Sequence, residues 1–302
     1  MAGRRAAIGG ILAAALAIAG CGAETGPLDS GAPPDMTPPS EAELLASRPY
    51  TATVPAGYTD AQRWPLLLVL AGCGDTGVGT SAYLVFTQLA ADQGIFLVTP
   101  DPDPPHARYA WNPNPVHYPD FDVEYLTAII HELEAKYAIE PGRVFVAGHS
   151  LGAHMAHRMA CDASADVAAI MSLAGQVDKD PADCAPGRAV SVVEIHGTAV
   201  QTIVYNGDVQ NVPPDPTIPS AHETVAVWAR NDACTGAIAD TGATLDLDTA
   251  IAGSETTVEA YSGCPSGIAV ELWSIVKGVH RPPLAPAFAG IAWGFLTAHA
   301  RP

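Results

Sequence analysis

The ten residues Arg143-Val-Phe-Val-Ala-Gly-His-Ser-Leu-Gly152 constrain this chain more than any other stretch. A β-branched and aromatic run leads straight into Gly148-His149-Ser150-Leu151-Gly152, and Ala153 to Ala160 then reads as a helix. The pattern is strand, sharp turn, helix, with a serine at the apex. Such a turn forces the serine into a strained backbone conformation, and only small residues two positions to either side let strand and helix approach closely. The hydroxyl is left at the carboxyl edge of the sheet, beside the positive end of the following helix. Ser150 is therefore the candidate nucleophile.

The rest of the chain alternates in the same manner. Pro49 to Ala56 reads as an edge strand, and Pro65 to Ala71 as a continuous apolar run of the kind a buried parallel strand requires. Ser81 to Asp92 reads as a helix, Ile95 to Thr99 as a strand, Asp101 to Pro119 as a proline-rich loop and Phe121 to Tyr137 as an amphipathic helix. After the serine turn come apolar strands over Ala168 to Ala174 and Val190 to Ile195 and a helix over Pro219 to Arg230. A last strand covers Val270 to Val276, and a last helix Pro286 to His299. Strand and helix alternate at the spacing of right-handed crossovers, which predicts one α/β domain over 46–302 built on a doubly wound, mostly parallel sheet. No inserted lid is evident between Leu173 and Val190.

The amino terminus reads as a processing segment. Arg4-Arg5 precedes the apolar run Ala6 to Ala19, which is too short to span a membrane comfortably. It ends in Ile18-Ala19-Gly20-Cys21, which resembles the bacterial lipobox. That resemblance implies a lipoprotein-type signal over 1–20, lipidation of Cys21, and membrane attachment only through that anchor; a plain secretory signal also exports the chain. Residues 21–45, rich in Gly, Pro, Asp, Glu, Ser and Thr, read as a flexible tether. A net charge of −18 argues against nucleic-acid binding and suits an uncharged substrate. Export favours disulfides, and the local pairs are Cys161–Cys184 and Cys234–Cys264, with Cys73 left over. No cysteine pair has a metal-ligand spacing, so no metal site is expected. A monomer is expected.

Several segments together resemble the α/β-hydrolase fold, and more narrowly the extracellular esterases that include polyhydroxybutyrate depolymerases, feruloyl esterases and acetylxylan esterases. They are Pro65 to Gly74, Arg143 to Gly152, Met159-Ala-Cys161, Glu194-Ile-His-Gly-Thr198, Val227 to Cys234, and Val270 through His280. The resemblance implies an ester hydrolase without a cofactor. It makes Ser150 the nucleophile and His280, after the last strand, the general base. His149 lines the pocket by the same reading, and Trp111, with Tyr109 and nearby prolines, suits an open cleft for polymeric or aromatic esters. The oxyanion donors are the backbone N–H of Leu151 and that of Cys73, in the loop after Leu66 to Leu70. Family members carry His-Gly-Cys in that loop, where this chain has Ala71-Gly72-Cys73.

The departure lies in the third member of the triad. The family has an aspartate after His-Gly-Thr-Ala; here His196-Gly-Thr-Ala is followed by Val200. Without an orienting carboxylate the imidazole can adopt the wrong tautomer, and turnover can fall by about four orders of magnitude. Two carboxylates could substitute. Asp178, after the strand Ala168 to Ala174, ranks ahead of Asp208, in the loop after Val200. The alternative is a weak or inactive homologue that binds a polyester or glycan at the cell surface.

Overall fold

A computed structural model describes residue 37, residues 39–102, residue 111, residues 121–177, 184–209 and 217–301; of 208–209 and 217–218 it describes the backbone only. In chain order the elements are α1 (Glu41–Ser47), β1 (Tyr50–Thr53), β2 (Trp64–Leu70), α2 (Gly77–Tyr83), α3 (Phe86–Gln93) and β3 (Phe96–Pro100). There follow α4 (Asp122–Lys136), β4 (Ile139–His149), α5 (Leu151–Asp162), β5 (Ala169–Leu173), β6 (Ser191–Gly197), β7 (Asp208–Val209) and β8 (Thr217–Ile218). The chain closes with α6 (Ala221–Asn231), β9 (Ile238–Leu245), β10 (Thr256–Tyr261), β11 (Val270–Ile275) and α7 (Phe288–Ala298).

One nine-stranded sheet runs in the order β1-β3-β2-β4-β5-β6-β11-β10-β9. The six strands from β3 to β11 are mutually parallel, and β1, β10 and β9 add antiparallel edges. This is the expected doubly wound sheet. Its strands are apolar throughout because both faces are covered. Leu66, Leu68 and Leu70 of β2 enter the core on one face with α1, α4, α5 and α6. Leu67 and Val69 enter the core on the other with α3 and α7. Each such leucine, fully buried, contributes about 1.5–3 kcal/mol relative to exposure.

Three readings of the sequence change. The helix expected over Ser81 to Asp92 is two helices, α2 and α3, separated at Val85, whose φ of 62° no α-helix accommodates. The stretch 41–45, expected within the tether, is α1: Ser40 and Glu43 form a reciprocal capping box, and Leu44 is buried beside α4. Strands β9 and β10 fall where no element is expected. Most of β9 is exposed, so it has no apolar alternation to read. The two disulfides form as paired in the sequence, Cys161–Cys184 and Cys234–Cys264. Each contributes about 3 kcal/mol by restricting the unfolded chain. Cys73, left over in that pairing, is not a free thiol. The signal segment and Cys21 lie outside the described residues. Among the described residues no helix is long and apolar enough to cross a membrane.

Candidate active site

Strand β4 is central, with β2 on one side and β5 on the other. It delivers Ser150 to the carboxyl edge of the sheet. Ser150 adopts φ 56° and ψ −123° between strand and helix, a conformation that costs on the order of 1–3 kcal/mol and survives only where the surroundings impose it. The imposition is visible in the glycines. A Cβ on Gly148 would stand 2.1 Å from the Gly152 carbonyl oxygen, and one on Gly152 would stand 2.1 Å from that of Leu70. The Ser150 N–H donates to the Leu173 carbonyl at 2.9 Å, so the turn is also pinned to β5.

His280 follows β11 in a loop that returns over the same edge. Its Nε2 lies 2.9 Å from the Ser150 Oγ, within reach for proton transfer. Residues 130 apart in sequence thus meet. Leu151 opens α5, so its N–H has no intrahelical acceptor and faces the turn. The Cys73 segment passes close by, since a Cβ on the preceding Gly72 would lie 3.4 Å from the Ser150 Cβ. Two backbone donors are therefore carried on segments that converge on Ser150.

The far side of the His280 ring is different. Its Nδ1 is buried and has no hydrogen-bond partner among the described residues. Burial holds its pKa down to about 3, and the nearby His149, His196, His154 and Arg281 push the same way. Val200 is buried, 4 % exposed, and the segment around it is knitted to the His280 loop: the Ala199 N–H donates to the Gly278 carbonyl at 2.9 Å, and the Lys277 N–H to the Thr198 hydroxyl at 2.8 Å. Val200 is thus a buried apolar residue on a segment bonded to the loop that carries His280. Asp178 and the side chain of Asp208 lie outside the described residues.

The two expected pocket residues are both buried. His149 is 4 % exposed. Its Nε2–H donates to the backbone carbonyl of His280 at 2.9 Å, and the two rings lie 5.1 Å apart. Trp111 is 2 % exposed and packs in the core on the α4 face, with no partner for its Nε1 among the described residues.

A second polar cluster escapes the sequence altogether. Glu194 of β6 is fully buried and bonds two histidines: His157 Nε2 at 3.2 Å and His196 Nδ1 at 2.9 Å. The Trp228 indole N–H donates to His157 Nδ1 at 2.9 Å, which leaves the His157 proton on Nε2. His196 Nε2 donates to the Ile203 carbonyl at 2.8 Å. One further proton is shared between Glu194 and His196 Nδ1, and every member is satisfied. The hydrogen bonds from both histidines hold the Glu194 carboxyl below its ordinary value despite burial. Nothing in this cluster bonds Ser150 or His280 among the described residues. No group of three His, Cys, Asp or Glu side chains among them is placed to hold a metal.

Comparison with known proteins bears on the fold and the family. The model of the Esterase family, described as "Putative esterase", matches residues 44–254. The chain is 24 % identical over 251 residues to feruloyl esterase B of Piromyces equi, covering 80 % of this chain but only 43 % of that protein. It is 27 % identical over 264 residues to "Putative esterase NocK" of Nocardia uniformis subsp. tsuyamanensis, covering 81 % of this chain and 71 % of that protein. The structure of an acetyl xylan esterase from Aspergillus awamori superposes with a TM-score of 0.59 at 14 % identity, over 82 % of this chain and 93 % of that one; at that identity the likeness speaks for the fold. The match of the family model across most of the domain, on the α/β-hydrolase sheet described above, makes this chain a member of the Esterase family.

Proposed function

We propose that the protein is an exported serine esterase that cleaves carboxylic esters of the feruloyl, acetyl or polyhydroxyalkanoate type through an acyl-enzyme. The observation that carries this reading is the 2.9 Å approach of His280 Nε2 to Ser150 Oγ at the strained strand–helix turn. Ser150 Oγ attacks the ester carbonyl while His280 takes its proton at Nε2. The developing oxyanion is met by the N–H groups of Leu151 and Cys73. The tetrahedral adduct collapses, the C–O bond to the alcohol breaks, and the alcohol leaves with the proton from His280. A water then repeats the sequence on the acyl-enzyme and releases the acid. Asp178 is assigned as the acceptor for His280 Nδ1–H, because it lies in the segment that follows β5, the strand beside the nucleophile strand.

The names of the relatives support the substrate class. Export is supported by the Arg4-Arg5 and Ala6 to Ala19 segment and by the two disulfides, and anchoring by the lipobox-like sequence ending in Cys21. A second reading, a cell-surface binder of polyester or glycan with little turnover, is favoured by one observation, the valine at position 200. Hydrolysis of a short p-nitrophenyl ester separates the two. The esterase reading predicts turnover that Ser150→Ala removes with little change in thermal unfolding; turnover that survives the substitution in purified protein refutes it.

A further inference from the structure

The residues that follow β11 are held from one side. His280 is bonded through its backbone carbonyl by His149 Nε2–H at 2.9 Å. Arg281 lies over the Tyr83 ring at 4.2 Å and pairs with Asp75 at 3.2 Å. The Pro282 carbonyl accepts from the Tyr83 hydroxyl at 3.0 Å. The Tyr83 ring in turn packs on His149 at 5.1 Å. Three consecutive residues of the base loop are thus tied to three side chains. Those side chains sit on the residue before the nucleophile, the loop after β2 and α2.

Resting on the serine esterase reading above, we propose that His149 is a positioning residue for the reaction, fixing the main chain of His280 so that its Nε2 stays on the Ser150 hydroxyl. An acceptor on Nδ1 sets the tautomer and turns the ring, but it does not hold the main chain of the loop; the bond from His149 to the His280 carbonyl does that. The anchor is short and shielded. His149 adjoins Ser150 in sequence, so the donor and the nucleophile share one rigid turn. Its Nδ1 side abuts Gly72, on which a Cβ would stand 3.2 Å from that nitrogen, so the ring has little room to rotate. Burial keeps the ring neutral, with its pKa lowered to about 4, so Nε2 carries the single proton and Nδ1 the lone pair.

The test compares His149→Phe, which keeps a ring against Tyr83 but removes the donor, with His149→Gln, whose amide nitrogen can reach the same carbonyl. Initial rates on p-nitrophenyl acetate and the rate at which an alkyl fluorophosphonate labels Ser150 are measured for both. A misplacement of about 1 Å costs about 10²-fold in rate, so His149→Phe is expected to lower kcat and labelling about 100-fold with KM within about threefold. His149→Gln is expected to recover most of that loss. A His149→Phe protein with kcat within about threefold of the parent overturns the inference while Ser150-dependent turnover leaves the esterase reading intact. Should His149→Phe not fold, His149→Met, which fills the same buried site without a donor, is expected to lower kcat about 100-fold with KM within about threefold; no effect on kcat overturns the proposal equally. Parent turnover indifferent to Ser150→Ala would overturn the esterase reading and this inference with it.

Discussion

His196 on β6 and His280 in the loop after the neighbouring strand β11 live in opposite surroundings. His196 ends β6 and pairs in register with Ser274 of β11; His280 lies in the loop beyond that same β11. Both His196 ring nitrogens have partners, a carboxylate on one side and a backbone carbonyl on the other. His280 has Ser150 on one nitrogen and none among the described residues on the other. A buried histidine with every valence used contributes rigidity and cannot take up a further proton without breaking a bond. A histidine with one nitrogen on a serine hydroxyl and no partner for the second among the described residues is held at a cost, and such costs gather at functional sites. The contrast teaches that a neighbouring carboxylate alone does not mark the reactive imidazole. Glu194 bonds His157 and His196, and neither of these is the histidine on Ser150.

The first way to break this comparison is to change what reaches His280 Nδ1. Asp178→Asn is expected to lower kcat by about 10³–10⁴-fold, since the lost acceptor serves the transition state and fixes the tautomer. Adding Val200→Asp to that variant is expected to return part of the loss, because the 198–200 segment is bonded to the His280 loop. Steady-state kinetics on a p-nitrophenyl ester check both. If Asp178→Asn has no effect and Val200→Asp alone raises turnover from near background, the native site has no acid and the binding reading gains.

The buried cluster should respond in the opposite manner. In Glu194→Leu the His157 Nε2–H and the His196 Nδ1 both lose their partner in a buried site. A loss of about 3–5 kcal/mol in urea unfolding is expected, with turnover per folded molecule within about threefold of the parent. A large kcat loss in protein of unchanged stability would put Glu194 in the catalytic path.

A smaller effect concerns acid. His149 and His154 have native pKa values lowered to about 4, and His280 to about 3, chiefly through burial. Their unfolded values lie near 6.5. Between about pH 6.5 and 4 the unfolded chain therefore binds protons that the folded one refuses, so the stability these groups confer is full above that window and falls as pH drops through it. Asp232, raised to about 7 by burial, and His131, raised by its bond to Glu41, run the other way. Three histidines outweigh these two, and a net loss on the order of 2 kcal/mol from pH 7 to 5 is expected in denaturant titrations. A stability that rises over that range would show that the three rings are protonated in the folded state.

Much of this was legible in the sequence, and the exceptions have physical causes. Parallel strands covered on both faces read as unbroken apolar runs, so β2, β4, β5, β6 and β11 are visible without a structure. The edge strand β9 is almost entirely exposed and carries no such signal. The helix α1 hides in a polar stretch, although Ser40-x-x-Glu43 is a capping signature that could have exposed it. Ser150 is legible because its turn needs glycines at fixed places, and His280 because it follows the last parallel strand. The Glu194 cluster is not, since His157, Glu194 and Trp228 come from three elements that only the fold brings together. Nor is the bond from His149 to a backbone carbonyl 131 residues away, because no side-chain pattern records a main-chain acceptor.

The most direct test of the central claim is to catch the acyl-enzyme. The protein is mixed with p-nitrophenyl acetate, quenched in acid within the burst and digested with trypsin, and the peptide Val144 to Arg158 is weighed. The Ser150–His280 account predicts that this peptide gains one acetyl group at Ser150, that Ser150→Ala shows none, and that His280→Asn accumulates it far more slowly. Release of p-nitrophenol with the acetyl group on another residue, or at an undiminished rate in either variant, would contradict it.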